Sequence, residues 1–295
     1  MGCDWRTGLN LESLVTLGLS TYAFAWRMHP DNPSPFTISD VLNTAASLGV
    51  GLVQVCDQPA LEAGDPALVH RLTDEASSLG LELELGTKGV EVEHLLRFLD
   101  LATTTGARFV RSMLSSPRGT PAIDEAITAL RSVTPAYEHA GVTLGLETYE
   151  QFSTDQLVSV VDAVGSPALG ICLDPGNSVA RLEQPNDVIT KAAPYVVNLH
   201  VKDFAFSRKE GMIGFTLAGA PLGAGLLDYD FMASELERHG RIVNQIVEHW
   251  LTRQATLART CELEQDWVQN AVTYLRARHQ FVNPANYPTE EPHND

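Results

Sequence analysis

Residues 142–178 read VTLGLETYEQFSTDQLVSVVDAVGSPALGICLDPGNS, and this stretch decides the fold. Two short aliphatic runs, 142–147 and 169–174, each close on an acid, Glu147 and Asp174. Between them Ser153-Thr154-Asp155 offers side chains that cap a helix, and the apolar spacing over 154–164 is helical. Strand, helix and strand within about 30 residues make one βα unit.

Outward from this unit the alternation continues. Strand-like runs lie near 15–20, 51–56, 81–85, 108–113, 196–201 and 242–248 besides the two above. Helical patterns lie near 38–48, 66–79, 91–105, 121–140, 154–164, 185–192, 228–239 and 262–280. Thr37 or Ser39 precedes the first helix, and Asp65-Pro66 opens the second. The glycines of SLGV (47–50), SLGL (78–81), TGAR (105–108) and HAGV (139–142) sit where a left-handed residue ends a helix. Eight units in 295 residues fit a single (β/α)8 TIM barrel of the α/β class, which takes about 250 residues. An open doubly wound sheet predicts a Gly-rich phosphate turn after its first strand, and LSTYAFAW at 19–26 lacks one.

The barrel is expected over 15–281, preceded by an N-terminal extension at 1–14. A polar, Pro-rich tail follows at 282–295, mobile unless a partner subunit holds it, so a homo-oligomer is left open. Residues 203–227 read as a long Gly-rich loop at the C-terminal end of strand seven.

The 37 acidic and 20 basic residues give a net charge of −17, which opposes nucleic acid and anionic membrane surfaces but says little about a small sugar. Cys3, Cys56, Cys172 and Cys261 are scattered without CxxC spacing and read as reduced thiols. No apolar run approaches the roughly 20 residues of a membrane helix. MGCDWRTGLNLESL at the start has no basic region followed by an apolar core. A cytoplasmic protein with no nucleic-acid or membrane partner is expected.

Strands seven and eight also end on ligand-type residues, His200 in YVVNLHVKDF (195–204) and Glu248 in IVNQIVEHW (242–250). The separations of Glu147, Asp174 and His200 each match one unit of about 30 residues, and the step to Glu248 adds the inserted loop. Strand ends five to eight border one half of the barrel mouth, so the four side chains can meet. Parity agrees: Gly145, Cys172, Asn198 and Ile246 share their strand faces, whereas Leu144, Leu146, Ile171, Leu173, Val197, Leu199, Val243 and Val247 face the helices. Two glutamates, one aspartate and one imidazole suit a divalent metal ion, Mn2+ first, with Mg2+, Co2+ or Zn2+ as alternatives.

Strand five ending in Glu, LDPGNS after strand six, NLHVKDF and IVEHW resemble the xylose-isomerase-like TIM-barrel family of sugar isomerases and epimerases. The resemblance covers 15–280 and implies Glu147, Asp174, His200 and Glu248 as metal ligands, with Glu147 and Glu248 also the acid/base pair. GTKG (86–89), CLDPGNS, LHVKD, GMIGF (211–215) and PLGAG (221–225) are most similar to a subgroup containing decarboxylases of 3-oxo sugar acids such as 3-oxoisoapionate. Two departures stand out. Thr148-Tyr149 follow Glu147 where many members have Asn-His, and Asn177 stands where ketose 3-epimerases have His.

The chemistry expected is that of an isomerase or epimerase acting through an enediolate of a small keto sugar or sugar acid. The alternative is a decarboxylase or lyase of a 3-oxo sugar acid, which passes through the same enolate but needs no base at carbon. Lys88 and Arg111 discriminate, because a carboxylate substrate would use them and a neutral ketose would not. Lys202, Gln54 and Asn177 complete the expected substrate contacts. Asp57 reads as a loop cap or a hydroxyl ligand, and Tyr22, Phe24 and Trp26 as an apolar wall of the pocket or as packing of the barrel mouth. A DNA-cleaving relative of this barrel is disfavoured by the acidic charge and the few strand-end histidines. A non-catalytic barrel would keep buried ligand groups at a cost.

Overall fold

Every expected strand forms, and helices cover the outer faces. In chain order the barrel strands are β1 (Leu17–Ser20), β2 (Leu52–Cys56), β3 (Glu82–Gly86), β4 (Phe109–Ser112), β5 (Thr143–Glu147), β6 (Leu169–Leu173), β7 (Val196–Val201) and β10 (Gln245–Val247). Strands β8 (Phe204–Arg208) and β9 (Phe215–Gly219) are inserted before the last. The eight close as a parallel barrel in the order β1-β10-β7-β6-β5-β4-β3-β2. The computed structural model describes residues 15–281 except Pro117, Glu210, Met212 and Gln280, so the expected extension (1–14) and tail (282–295) lie outside the described residues.

The helices are α1 (Ile38–Ser47), α2 (Pro59–Glu62), α3 (Pro66–Ser78), α4 (Val92–Thr105), α5 (Ile123–Ala140), α6 (Thr154–Val164), α7 (Pro175–Ser178), α8 (Pro185–Ala192), α9 (Tyr229–Arg238) and α10 (Leu257–Arg276). Thr37 with Asp40 and Ser153 with Gln156 form reciprocal capping boxes, and Asp65 caps α3. Gly49, Gly80, Gly106 and Gly141 all take positive φ at helix ends, as their positions required. Two single turns, α2 and α7, were not legible as helices. The last helix starts five residues earlier than its apolar pattern, because Thr256 caps the polar turn that opens it. Among the described residues no helix is long and apolar enough to cross a membrane.

Strict alternation fails at one place. The register slips between Ile171 and Cys172 where β6 meets β7. Val196 thereby joins the helix-covered core, while Val197, expected there, lies against Gly170, where an added Cβ would stand 2.4 Å from its Cγ1. Beyond the slip Asn198 and His200 keep their inward positions.

The segment expected as a loop at 203–227 is an antiparallel hairpin, β8 on β9, in which Phe206 pairs with Leu217. Both strands are largely exposed, so they lack the apolar alternation that marks a buried strand. Asp203 anchors the segment. Its carboxylate accepts backbone N–H bonds from Phe204 (2.8 Å), Gly223 (2.9 Å), Gly225 (2.9 Å) and Leu227 (3.0 Å). PLGAG is shaped by this carboxylate: Gly223 needs a φ of +85°, and a Cβ on Gly225 would lie 2.2 Å from Asp203 Oδ1. Glu264 of α10 accepts the N–H groups of Trp26 (2.8 Å) and Arg27 (2.9 Å), clasping the segment that follows β1.

Two predictions follow from these anchors. Asp203→Ala leaves those N–H groups without their charged acceptor, so a loss of about 3 kcal/mol is expected in urea unfolding, with faster tryptic cleavage at Lys209. Burial pushes the Glu264 carboxyl from the usual 4.5 to about 7 against its N–H donors. In that window the folded chain holds a proton the unfolded chain has lost. The group's stabilising contribution is therefore full below the lower value and lost as pH rises through the upper one. Glu264→Gln should flatten this part of a stability profile recorded from about pH 4 to about pH 8.

Candidate active site

Parallel strands all present their C-terminal ends at one mouth, and there the four expected ligands converge. One ligand atom from each of Glu147, Asp174, His200 and Glu248 lies within 4.8 Å of every other, and all four residues are buried. His200 Nδ1 is 3.4 Å from Glu147 Oε1, 3.5 Å from Glu248 Oε1 and 4.0 Å from Asp174 Oδ2. His200 Nδ1 and Glu248 Oε1 have no hydrogen-bond partner, and Asp174 Oδ2 has only an unaligned ion contact at 2.6 Å with Lys202 Nζ. Orphaned buried polar atoms cost about 1–3 kcal/mol each. A divalent cation among them would satisfy all three, and the oxygen-rich donor set with one imidazole fits such an ion.

The electrostatics are those of crowded charge. Burial works to raise the Glu147 carboxyl, but Arg111, His200 and Lys202 hold it well below the usual carboxylate range. Burial raises Asp174, with Lys202 opposing and Glu147 adding to the rise. For His200 burial favours the neutral ring, yet Cys172, Glu248 and Glu147 drive its pKa well above the ordinary value in the metal-free protein.

Cations ring this centre. Lys202 Nζ donates to Asn177 Oδ1 (3.0 Å), approaches Glu248 (3.5 Å) and lies 4.3 Å from the Trp250 ring centroid. Asn177, in α7, donates to Glu147 Oε1 (2.8 Å). Arg111, only 2% exposed, sets its Nε 3.0 Å from Glu147 Oε2 and donates from Nη1 to Thr87 O (2.7 Å). Thr87 is held in turn by His94 at 2.7 Å. Lys88 pairs with Asp57 (3.0 Å) and donates to Tyr22 Oη (3.3 Å), while Tyr22 hydrogen-bonds Asp57. Asp57 takes a left-handed φ of +49°, unusual for a non-glycine, which places its carboxylate among these groups. The cavity they enclose, about 110 Å³, is lined by Tyr22, Lys88, Arg111, Tyr149, Lys202 and Trp250 with Glu147 and Glu248. A larger hollow of about 470 Å³ at the opposite end of the barrel, bordered by Leu52, Glu82 and Arg108, holds no such cluster among the described residues.

Lys202, Lys88, Arg111 and Asn177 therefore border the mouth with the quartet, as the sequence suggested. Gln54 does not. It lies one layer below, fully buried, with Oε1 2.9 Å from His200 Nε2 and Nε2 3.0 Å from Glu84 Oε2. Of the expected aromatic wall only Tyr22 faces the cavity; Phe24 packs in the core, and Trp26 donates from Nε1 to Leu251 O. Glu84 escaped notice in the sequence. Burial raises its carboxyl pKa, opposed by amide donors from Asn244, Gln54 and Asn198. The available signal was LELEL, which puts an acid at an inward parity.

Comparison with known proteins agrees with this fold. The family model of the xylose isomerase-like TIM barrel matches residues 42–277. A protein of Pectobacterium atrosepticum, 3-oxo-isoapionate decarboxylase, is 48% identical over 273 residues, spanning 92% of this chain and 99% of that protein. Among solved structures, a xylose isomerase-like TIM barrel protein from Mycobacterium smegmatis in complex with magnesium aligns with a TM-score of 0.65 at 20% identity, over 90% of this chain and 98% of that one. D-Psicose 3-epimerase from Clostridium cellulolyticum H10 with D-tagatose aligns with a TM-score of 0.66 at 14% identity, over 89% and 99% of the two chains. At these identities the structural likeness speaks to the fold.

His200→Ala should abolish stoichiometric divalent metal after dialysis, measured by elemental analysis, while the wild-type chain retains it. Equal metal content in the two proteins would rule the quartet out as the binding site.

Proposed function

The chain belongs to the xylose isomerase-like TIM-barrel family, and from that premise we propose that it is a divalent-metal-dependent decarboxylase of a 3-oxo sugar acid. Of the two reactions the sequence left open, this is the second. The observation that carries it is the charge of the mouth. Among the groups at the mouth itself Lys88 and Asp57 cancel, and Lys202, Arg111 and a bound divalent cation would exceed the three quartet carboxylates by one positive charge. A monoanionic substrate neutralises that excess in a mostly buried site; a neutral ketose leaves it uncompensated. The Pectobacterium relative, alike over nearly the whole chain, is named for such a reaction and supports 3-oxo-isoapionate as the substrate to test first.

The chain's own groups fit decarboxylation. Loss of CO2 breaks the bond between the carboxyl carbon and its neighbour and sends the electron pair toward the 3-oxo oxygen. A bound divalent cation supplies Lewis-acid stabilisation of that oxygen's charge, and Mn2+ suits a donor set of three carboxylates and one imidazole. Lys88, which lines the cavity and has ammonium protons beyond the one directed at Asp57, holds the departing carboxylate, and Lys202 orients a hydroxyl. No base need remove a carbon-bound proton, and the two glutamates differ in a way that agrees. Glu147 is held by Arg111 and Asn177 as a fixed anion, whereas Glu248 Oε1 has no hydrogen-bond partner and its other oxygen meets only Lys202 at 3.5 Å. An epimerase working on both faces of one carbon would need two comparably free carboxylates.

Incubation of the Mn2+-loaded enzyme with 3-oxo-isoapionate in deuterated water should release CO2 and place deuterium at the carbon that lost it. Exchange of a carbon-bound proton without CO2 release would sink the decarboxylase reading and favour isomerisation. Lys88→Met should raise KM about 10- to 100-fold with little change in kcat, as expected for losing one charged contact to substrate.

A further inference from the structure

Beneath the mouth runs a line of side chains whose hydrogen bonds have only one consistent direction. It starts at a group that can only donate, the backbone N–H of Thr16. That N–H reaches Asn244 Oδ1 (3.1 Å), which turns the Asn244 amide nitrogen onto Glu84 Oε1 (2.9 Å). Asn198 Nδ2 donates to both Glu84 oxygens (3.1 and 3.0 Å), and Gln54 Nε2 donates to Oε2 (3.0 Å). Glu84, only 3% exposed, thus meets N–H groups on each oxygen and makes no ion pair among the described residues. A carboxyl proton there would face another donor, so the group acts as an acceptor.

The consequence reaches the metal centre. With its nitrogen committed to Glu84, Gln54 turns Oε1 toward His200 Nε2 at 2.9 Å, and Cys56 Sγ (3.3 Å) donates to the same oxygen. An oxygen facing Nε2 requires that nitrogen to carry the proton. Nδ1, aimed among Glu147, Asp174 and Glu248, is then the nitrogen with the free lone pair. We propose that Glu84 is a positioning residue for the metal: through Gln54 it fixes His200 as the Nε2–H tautomer and keeps Nδ1 open to the cation. The inference rests on the reading of the quartet as a divalent-metal site, but not on which reaction the site performs.

The test reads metal affinity and proton position, not turnover. Titration with Mn2+, following free Mn2+ by electron paramagnetic resonance, should give about 10- to 100-fold weaker binding for Glu84→Gln than for wild type. Gln54→Leu should weaken binding comparably, and the double variant should be no weaker than Gln54→Leu, because Glu84 acts through Gln54. In the 15N-histidine-labelled, Mg2+-loaded wild type, His200 should show a proton bonded to Nε2 and none on Nδ1. A proton on Nδ1 would overturn the proposal without any variant. So would unchanged affinity in Glu84→Gln, or the same loss on adding Glu84→Gln to Gln54→Leu, which would leave only a charge effect. If the wild type bound no Mn2+, the metal reading itself would fall, an outcome distinct from each of these. Failure to decarboxylate with all these results intact would leave the proposal standing and remove only the assigned reaction.

Discussion

Three buried carboxylates that crowd one imidazole are the constraint on which the rest of this structure depends. Like charges so close together in a low-dielectric site repel strongly, and burial alone would protonate them. The chain answers with buried cations whose own burial is offset by the same acids. Burial works against the Lys202 ammonium, yet Asp174, Glu248 and Glu147 raise its pKa. Neither set would be tolerable without the other, and together they still leave ligand atoms without partners. The site is therefore poised to gain from a cation, which links its stability to metal binding.

Room for these groups comes from what is missing beside them. Gly145 lies between Arg111 and Gly170 in register, and a Cβ on it would sit 2.5 Å from the Phe109 ring. Gly86 pairs with Arg111 in the barrel, and a Cβ there would stand 2.2 Å from Cys56 Sγ. A large guanidinium and its acid partners can occupy the upper barrel because the neighbouring inward positions carry small residues. Below them the packing changes from ionic to amide: Gln54, Asn198 and Asn244 gather around Glu84 and carry orientation upward into the imidazole.

Much of this could be read from the chain because barrel geometry ties spacing to position. Glu147, Asp174, His200 and Glu248 lie at the ends of consecutive strands, where a repeat of one unit fixes their common mouth. Gln54 misleads because a polar residue near a strand end looks like a mouth residue. Its strand continues to Cys56, and its partners in register are Ser20 and Glu84, one layer too deep. Asp57 was obscure for a different reason: its side chain reaches the site through a left-handed backbone that residue type does not announce. The hairpin over 204–219 stayed hidden because its fixing interaction is the carboxylate of Asp203 with distant glycine N–H groups. No local periodicity records that contact.

The two halves of the barrel divide the chemistry between them. Strands β5, β6, β7 and β10 supply every ligand of the quartet, and Lys202 follows β7 directly. The segments at the ends of β1 to β4 supply Tyr22, Asp57, Lys88 and Arg111, which hold no part of the metal cluster. At the mouth they meet in the ion pair of Arg111 with Glu147 at 3.0 Å. Such a division lets one half keep a reactive oxygen's charge stabilised while the other selects which bond is exposed to it. On the proposed reading the contact of Lys88 with the substrate, not a change in the quartet, is what would separate a site for sugar acids from one for sugars.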